Sequence, residues 1–276
     1  MKKSNITFIG GGNMAGAIIG GLIRRDFDAK RLCAIEVIPE VREKLAQRFG
    51  ISSFASADEL PRVGDIVVLA VKPQQMRIAL KSLTSLTPKL NRQVVLSIAA
   101  GIRIADVSRW LGGYERIIRC MPNTPALIGA GISAAYAAPA VTRDERDAAE
   151  EVLQAVGKVV WVENENLLDA VTAVSGSGPA YVFYFIEALR DAAKELGLSD
   201  ATANTLAIET FAGAAKLAAH EHDDVTILRK RVTSQGGTTE AALESMSQDH
   251  VKEAIIKAIK AANERSRELG TELGKD

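Results

Sequence analysis

A glycine-rich segment near the amino terminus has the spacing of a phosphate-binding turn. Residues 10–15 read G-x-G-x-x-A and follow an apolar stretch, residues 5–9, that is typical of a short strand. A helical pattern comes next, so the free N–H groups of the helix start can bind phosphate oxygens. Gly12 has no side chain and lets a pyrophosphate come close to the backbone. This order predicts a dinucleotide-binding site; a purely structural turn is the alternative.

An acidic side chain, Glu36, ends the strand predicted over residues 31–36. An acid at this position usually hydrogen-bonds the ribose hydroxyls of the adenosine half and repels a 2′-phosphate. Glu36 therefore predicts that NADH is preferred over NADPH. The alternative is a solvent-facing acid in the loop between strand and helix.

Three further loops follow predicted strands and carry distinctive residues. Lys72 could face phosphate or ribose, or it could be a surface lysine before a helix. Ala99 and Ala100 could let the nicotinamide ring approach the backbone, although alanine is more often packed in a core. Asn123 lies between two prolines that hold the loop rigidly, and it could bind a carboxamide or belong to a simple turn.

A late segment, residues 232–239, reads V-T-S-Q-G-G-T-T and precedes a predicted helix. Its two glycines favour a tight turn, and Thr238 or Thr239 can cap the helix. The N–H groups of the helix start, with the hydroxyls of Ser234, Thr238 and Thr239, make a receptor for a small carboxylate. The segment carries no ionisable acid or base. An ordinary helix cap is the alternative.

The elements that must position these residues alternate along the first half of the chain. We predict a parallel, doubly wound sheet, whose ligands lie beyond the carboxyl ends of the strands. The predicted strands are residues 5–9, 31–36, 65–71, 94–97, 116–120 and 158–162, and the helices between them are residues 39–49, 74–83, 104–111 and 142–156. From residue 166 the pattern is helical: residues 168–174, 180–196, 200–219, 226–232 and 241–269.

This change of pattern predicts two domains, a Rossmann-type dinucleotide-binding domain over residues 1–163 and an all-α domain over residues 164–276. The helices of the second domain are rich in alanine and expose many small apolar faces. We therefore expect a dimer interface there, with a compact monomeric bundle as the alternative.

Composition excludes several classes of partner. Lys plus Arg and Asp plus Glu each number 34, so nothing indicates a nucleic-acid-binding surface. The chain has no run of about 18 apolar residues, so we expect no membrane contact. Cys33 and Cys120 form no metal-ligand spacing and no disulfide framework, which favours the cytoplasm and predicts no metal site.

Six segments together resemble the pyrroline-5-carboxylate reductase family. They are F-I-G-G-G-N-M at residues 8–14, A-V-K-P at 70–73, A-A-G at 99–101, R-C-M-P-N-T-P at 119–125, S-G-S-G-P-A-Y at 175–181 and T-S-x-G-G-T-T at 233–239. The resemblance covers essentially the whole chain. It implies hydride transfer from NAD(P)H to 1-pyrroline-5-carboxylate, giving L-proline, in the last step of proline biosynthesis. It also implies a homodimer with interlocked helical domains, sometimes assembled into a decamer.

The resemblance also assigns roles to residues. Thr239 corresponds to the threonine that contacts the ring nitrogen, and the backbone of Gly237 and Thr238 to the part that holds the carboxylate. The substrate-binding residues are thus Ser234, Gly236, Gly237, Thr238 and Thr239, with Thr239 catalytic. The cofactor-binding residues are Ile9, Gly10, Gly11, Gly12, Asn13, Met14, Glu36, Ala70, Val71, Lys72, Pro73, Ala99, Ala100 and Asn123.

Two departures from the family pattern concern the site directly. Gln235 stands where the family usually has proline, which predicts a less rigid substrate loop. Glu36 stands where relatives that use NADPH have a small polar residue, in agreement with the preference for NADH.

Two other functions remain as alternatives. A β-hydroxyacid dehydrogenase shares the two-domain plan but needs a strong proton donor, and between Val162 and Glu195 the sole lysine is Lys194, at the far end of a helix. A non-enzymatic dinucleotide sensor would keep the glycine turn without needing the receptor at residues 234–239.

Overall fold

The computed structural model describes residues 4–82, 90 and 92–275. Its strands are β1 (Ile6–Ile9), β2 (Leu32–Ile35), β3 (Ser52–Phe54), β4 (Ile66–Leu69), β5 (Val94–Ser97), β6 (Ile117–Met121), β7 (Gly131–Ala137) and β8 (Gly157–Trp161). Its helices are α1 (Asn13–Arg24), α2 (Pro39–Phe49), α3 (Pro73–Ser82), α4 (Ile104–Trp110), α5 (Arg143–Gln154), α6 (Leu167–Val171), α7 (Gly178–Glu195), α8 (Asp200–His220), α9 (Val225–Arg231), α10 (Thr238–Gln248) and α11 (Val251–Leu273).

The strands of the described residues form one eight-stranded sheet in the order β3-β2-β1-β4-β5-β6-β7-β8. The first six strands are parallel, which confirms the prediction for β1, β2, β4, β5 and β6; β3 was not predicted. β7 runs antiparallel to β6, and β8 is parallel to β7, so a wholly parallel sheet was the wrong prediction. The connection between Met121 and Gly131 holds only a short 3₁₀ turn, Thr124–Ile128, whereas a parallel crossover needs about a dozen residues or more. The chain therefore reverses its direction between β6 and β7.

Apolar side chains cover both faces of the sheet. In β4, Ile66 and Val68 pack in the cluster that contains α1 and α5, whereas Val67 and Leu69 pack in the cluster that contains α3 and α4. This explains the unbroken apolar run in the sequence, because a parallel strand covered on both faces has no polar side. The buried layers fix the strand ends, where the loops of interest begin.

The described chain divides into two compact units. One, the sheet unit, extends to Gly176 and includes the chain from Ala262 onward; the other, the helical unit, is Ser177–Ala261. Within the sheet unit, the end of α11 is held by a buried hydrogen bond of 2.8 Å from Ser266 Oγ to Asp169 Oδ1. The domain boundary expected after residue 163 stays a prediction, and the compact units divide after it, at Gly176.

Several local predictions need correction. The single helix predicted over residues 241–269 is divided into α10 and α11 at His250, whose φ of 54° a continuous helix cannot contain. The short edge strand β3 and the alanine-rich β7 were missed. The predicted helix over residues 74–83 matches α3 up to Ser82, and Leu83 lies outside the described residues.

Within the described part of the chain, no helix combines the length and the apolar character that crossing a membrane requires.

Candidate active site

The turn after β1 is fixed by the sheet around it. Gly10 has φ of +95°, in the region that favours glycine, and its N–H donates to the carbonyl of Ile35 at 2.8 Å. A Cβ on Gly10 would lie 2.9 Å from the carbonyl oxygen of Ala70. Ala70 is itself held in place, because its N–H donates to the carbonyl of Ile9 at 2.8 Å. Only glycine therefore fits at position 10, and the carboxyl ends of β1, β2 and β4 meet there.

The start of α1 offers an open surface for an anion. Gly12 is the N-cap residue, with extended backbone and no side-chain hydrogen bond to the helix. A Cβ on Gly12 would meet no atom within 4 Å, and Asn13 beside it is exposed. The first N–H groups of a helix have no intrahelical partners. Backbone donors facing open space suit a pyrophosphate, so the residues present fit a dinucleotide.

Glu36 holds the glycine turn directly. Its Oε2 accepts the N–H of Gly11 at 2.8 Å, and its Oε1 accepts the N–H of Ile38 at 3.0 Å. The carboxylate is half-buried, and Arg42 donates to the backbone oxygen of Glu36 at 2.7 Å. Glu36 is therefore no loose acid in a solvent loop. It lies at the end of β2, beside the turn.

The loops after β4 and β5 lie at the same edge of the sheet. Lys72 is exposed, and its carbonyl accepts the N–H of Gln75 at 2.9 Å in the first turn of α3, which begins at Pro73. Ala99 is buried within the apolar cluster against α3 and α4, whereas Ala100 is half-buried. Ala100 is thus the more accessible of the two small residues.

Asn123 connects three segments of the sheet unit. Its Oδ1 accepts the N–H of Ile132 in β7 at 3.0 Å, and its Nδ2 lies 3.4 Å from both the carbonyl oxygen and the hydroxyl of Ser175. Ser175 belongs to a π-helical turn, Thr172–Gly176, that follows α6. The side chain of Asn123 therefore has a structural task in addition to the cofactor role predicted for it.

In the helical unit, residues 234–237 form a β-turn. The N–H of Gly237 donates to the carbonyl of Ser234 at 3.0 Å, and Gly236 has φ of +72°. Gln235 is not among the described residues with positive φ, so this is a type II turn with Gln235 at its second position. The helix α10 follows immediately.

The cap of α10 differs from the prediction. Gly237, with extended backbone, is the N-cap, and no side chain caps the helix, so the proposal that Thr238 or Thr239 does so was wrong. Both threonines lie in the first turn, where N–H groups have no intrahelical partner. The hydroxyls and N–H groups therefore stay available to a ligand.

One residue of this loop was missed. Glu240, half-buried, accepts the N–H of Gly236 through Oε2 at 2.6 Å. The sequence did contain a signal for this contact: Glu240 follows Gly236 by four residues and lies in the first turn of the helix, where an acid often accepts a backbone N–H.

The structure brings the predicted cofactor residues together at one edge of the sheet. They end or follow β1, β2, β4, β5 and β6: Ile9, Gly10, Gly11, Gly12, Asn13, Met14, Glu36, Ala70, Val71, Lys72, Pro73, Ala99, Ala100 and Asn123. The predicted substrate residues, Ser234 to Thr239, are contiguous in a turn and helix start of the helical unit.

Neither cysteine provides a reactive thiol. Complete burial raises the pKa of Cys120 to about 12, against a smaller opposing effect of the hydrogen bond with Ser133. Burial also raises the pKa of Cys33, whose Sγ lies 3.3 Å from the hydroxyl of Thr7. The thiolate is the nucleophilic form, so thiol catalysis is not the chemistry of these residues.

Two protein families and many known proteins are similar to this chain. A family described as pyrroline-5-carboxylate reductase dimerisation matches residues 165–269, and one described as NADP oxidoreductase, coenzyme F420-dependent, matches residues 5–101. The pyrroline-5-carboxylate reductase of Pseudomonas aeruginosa is 43% identical over 275 residues, which are 99% of this chain and 100% of that protein. The chain belongs to the pyrroline-5-carboxylate reductase family.

Solved structures of this family have the same fold. A pyrroline-5-carboxylate reductase from Coxiella burnetii is 39% identical, with a TM-score of 0.91 over 96% of this chain and 98% of that one. The Plasmodium falciparum pyrroline carboxylate reductase, solved with NADP bound, is 28% identical, with a TM-score of 0.85 over 98% of this chain and 99% of that one. The predicted fold class, a Rossmann-type sheet followed by helices, is confirmed, and the chain is an oxidoreductase.

Proposed function

We propose that this chain reduces 1-pyrroline-5-carboxylate to L-proline with a hydride from NAD(P)H. One observation carries the proposal: the turn at residues 234–239 presents hydroxyls and unpaired helix N–H groups but contains no ionisable side chain. Such a site can hold a carboxylate and contact a ring nitrogen. It lacks the strong proton donor that reduction of a carbonyl requires.

The chemistry explains why no strong acid is needed. A protonated cyclic imine is already an electrophilic iminium, so hydride addition at its carbon gives a neutral amine and no alkoxide. The bound dinucleotide supplies the hydride and leaves as NAD(P)⁺, and the proton on nitrogen comes from solvent. The protein contributes mainly by holding the reacting groups in place, which can account for much of the rate.

Each candidate residue has a distinct task in this proposal. The N–H groups of the first turn of α10, beginning at Thr238, hold the substrate carboxylate; Gly237 positions them as the N-cap, and Ser234 adds a hydroxyl. Thr239 contacts the ring nitrogen through its hydroxyl and fixes the orientation of the imine. The loop residue Gly236 supplies the positive φ that the turn requires.

The residues of the dinucleotide site also have distinct tasks in this proposal. The turn at residues 10–12 and the N–H groups of Asn13 and Met14 hold the pyrophosphate, and Lys72 and Pro73 border the phosphate and ribose. Ala100 and Asn123 border the nicotinamide. Glu36 favours NADH, because a carboxylate beside a 2′-phosphate is unfavourable.

The assembly is part of the proposal. The helical unit carries large exposed apolar side chains on α7 and α8, among them Phe183, Tyr184 and Leu206. Apolar surface of this kind indicates an interface. We infer a homodimer built from the matched dimerisation region, able to assemble further into a decamer, in the cytoplasm.

The test is turnover with each dinucleotide. Purified protein is mixed with synthetic 1-pyrroline-5-carboxylate and NADH or NADPH; dinucleotide oxidation is followed at 340 nm and proline is quantified. We expect one proline per dinucleotide oxidised, and faster turnover with NADH. Binding of NADH without turnover would favour the sensor, and oxidation of a β-hydroxyacid in place of proline formation would favour the dehydrogenase.

A further inference from the structure

The substrate turn at residues 234–237 has little around it within its own chain to maintain its shape. A type II turn needs positive φ at its third position, which Gly236 provides, and proline is favoured at its second position because its ring fixes φ. Gln235 occupies that second position and leaves φ unrestrained. A Cβ on Gly236 would meet no atom of this chain within 4 Å, so packing within the chain does not fix Gly236 either.

We propose that Glu240 is a positioning residue that fixes this turn in place of a proline. Its Oε2 accepts the N–H of Gly236 at 2.6 Å, and this contact joins the centre of the turn to the first turn of α10. A carboxylate that accepts a backbone N–H forms a charge-assisted hydrogen bond, stronger than a neutral one. The contact supplies from the helix the restraint that Gln235 does not supply from within the turn.

The contact also determines which N–H groups remain for a substrate. Gly237 donates within the turn and Gly236 donates to Glu240. The unassigned donors are therefore those of the first turn of α10, beginning at Thr238. In this arrangement Glu240 touches neither the imine nor the nicotinamide, and acts by holding the donors of Thr238 and Thr239 in one orientation.

This inference rests on the proposed function for its kinetic effect but not for its structural one. The experiment compares wild type with Glu240→Ala, Glu240→Gln and the double variant Gln235→Pro/Glu240→Ala. The control is Glu244→Ala, which removes an exposed acid one turn farther along α10. Two quantities are measured for each protein: the steady-state constants with 1-pyrroline-5-carboxylate and NADH, and the hydrogen-exchange rate of the Gly236 amide by NMR.

We expect Glu240→Ala to raise KM for 1-pyrroline-5-carboxylate roughly fivefold, because the net free energy of one hydrogen bond corresponds to a factor of about this size. Hydrogen exchange at the Gly236 amide should become faster by a similar factor. The turnover number and the KM for NADH should stay within about twofold of the wild-type values, because the lost contact lies in the substrate loop and not at the reacting atoms. Glu240→Gln keeps an acceptor and retains most of the wild-type values. Adding Gln235→Pro restores KM, because proline restrains the same turn.

Unchanged Gly236 exchange in Glu240→Ala would overturn the inference, as would an equal rise of KM in Glu244→Ala. Failure of Gln235→Pro to restore KM would also overturn it. If wild type forms no proline, the proposed function fails, and Gly236 exchange still decides whether Glu240 fixes the turn.

Discussion

The glycine turns at residues 10–12 and 234–237 contain the same type of hydrogen bond in different surroundings. In each, a glutamate accepts the N–H of a glycine: Glu36 from Gly11 at 2.8 Å, and Glu240 from Gly236 at 2.6 Å. The first turn is enclosed by the sheet, where a Cβ on Gly10 would lie 2.9 Å from a backbone oxygen. The second has open space around Gly236.

The difference shows two ways of positioning a binding loop. Non-local packing fixes the first turn, so it should resist changes to its neighbours and fail when its own backbone is altered. The second depends on a few local restraints, so single polar substitutions should change it. An enclosed turn suits the pyrophosphate, which NADH and NADPH share. An exposed turn suits a small substrate that must enter and leave.

The largest effect should come from the enclosed turn. Gly10→Ala places a side chain at φ of +95° and against Ala70. We expect a loss of about 3 kcal/mol in the free energy of unfolding, measured by urea denaturation, because strained φ and a clash act together. NADH binding should be lost as well.

The matched control is Gly12→Ala, where a Cβ meets nothing within 4 Å. Its stability should fall by no more than about 1 kcal/mol, because alanine is a poorer N-cap than glycine but meets no clash at this position. Its affinity for NADH should nevertheless fall, because the methyl group takes the space of the pyrophosphate. Equal stability losses in both variants would contradict the contrast between packing and open space.

An intermediate effect should come from Thr239 in the exposed turn. We expect Thr239→Ala to lower turnover about tenfold, the worth of one hydrogen bond at the ring nitrogen, with NADH affinity unchanged. Steady-state kinetics and fluorescence titration of NADH measure the two quantities. Ser245→Ala on the exposed side of α10 serves as the control. An unchanged turnover number would remove Thr239 from the site.

A smaller effect should come from the charge of Glu36. In both Glu36→Gln and Glu36→Ser, the ratio of kcat/KM for NADPH to that for NADH should rise about fivefold, as loss of one repulsive charge predicts. Only Glu36→Ser also loses the acceptor for Gly11, so it alone should lower the melting temperature. A wild type that already prefers NADPH strongly would refute the role of Glu36 in cofactor choice.

The sequence predicted local features better than distant ones. The glycine turn at residues 10–15 and the apolar run in β4 were recognisable because their signals lie within one segment. The direction of β7 depends on pairing with β6, and its sequence, G-I-S-A-A-Y-A, has weak strand propensity. The division of α10 from α11 at His250 has no glycine or proline to mark it.

The same distinction between local and distant features applies to the candidate site. The residues of the glycine turns could be predicted from motifs, whereas the contacts of their side chains could not. The pairing of Glu36 with Gly11 joins residues 25 positions apart, and the structural contacts of Asn123 reach Ser175, 52 positions away. Such contacts follow from tertiary packing, which the sequence pattern does not encode segment by segment.

The most direct test of the account is a crystal structure of the chain with NAD⁺ and L-proline. We expect the proline carboxylate on the N–H groups that begin α10, the ring nitrogen at the hydroxyl of Thr239, and the nicotinamide carbon that carries the hydride about 3.5 Å from the proline ring. Proline bound away from the nicotinamide, or a dinucleotide bound away from residues 10–12, would contradict it.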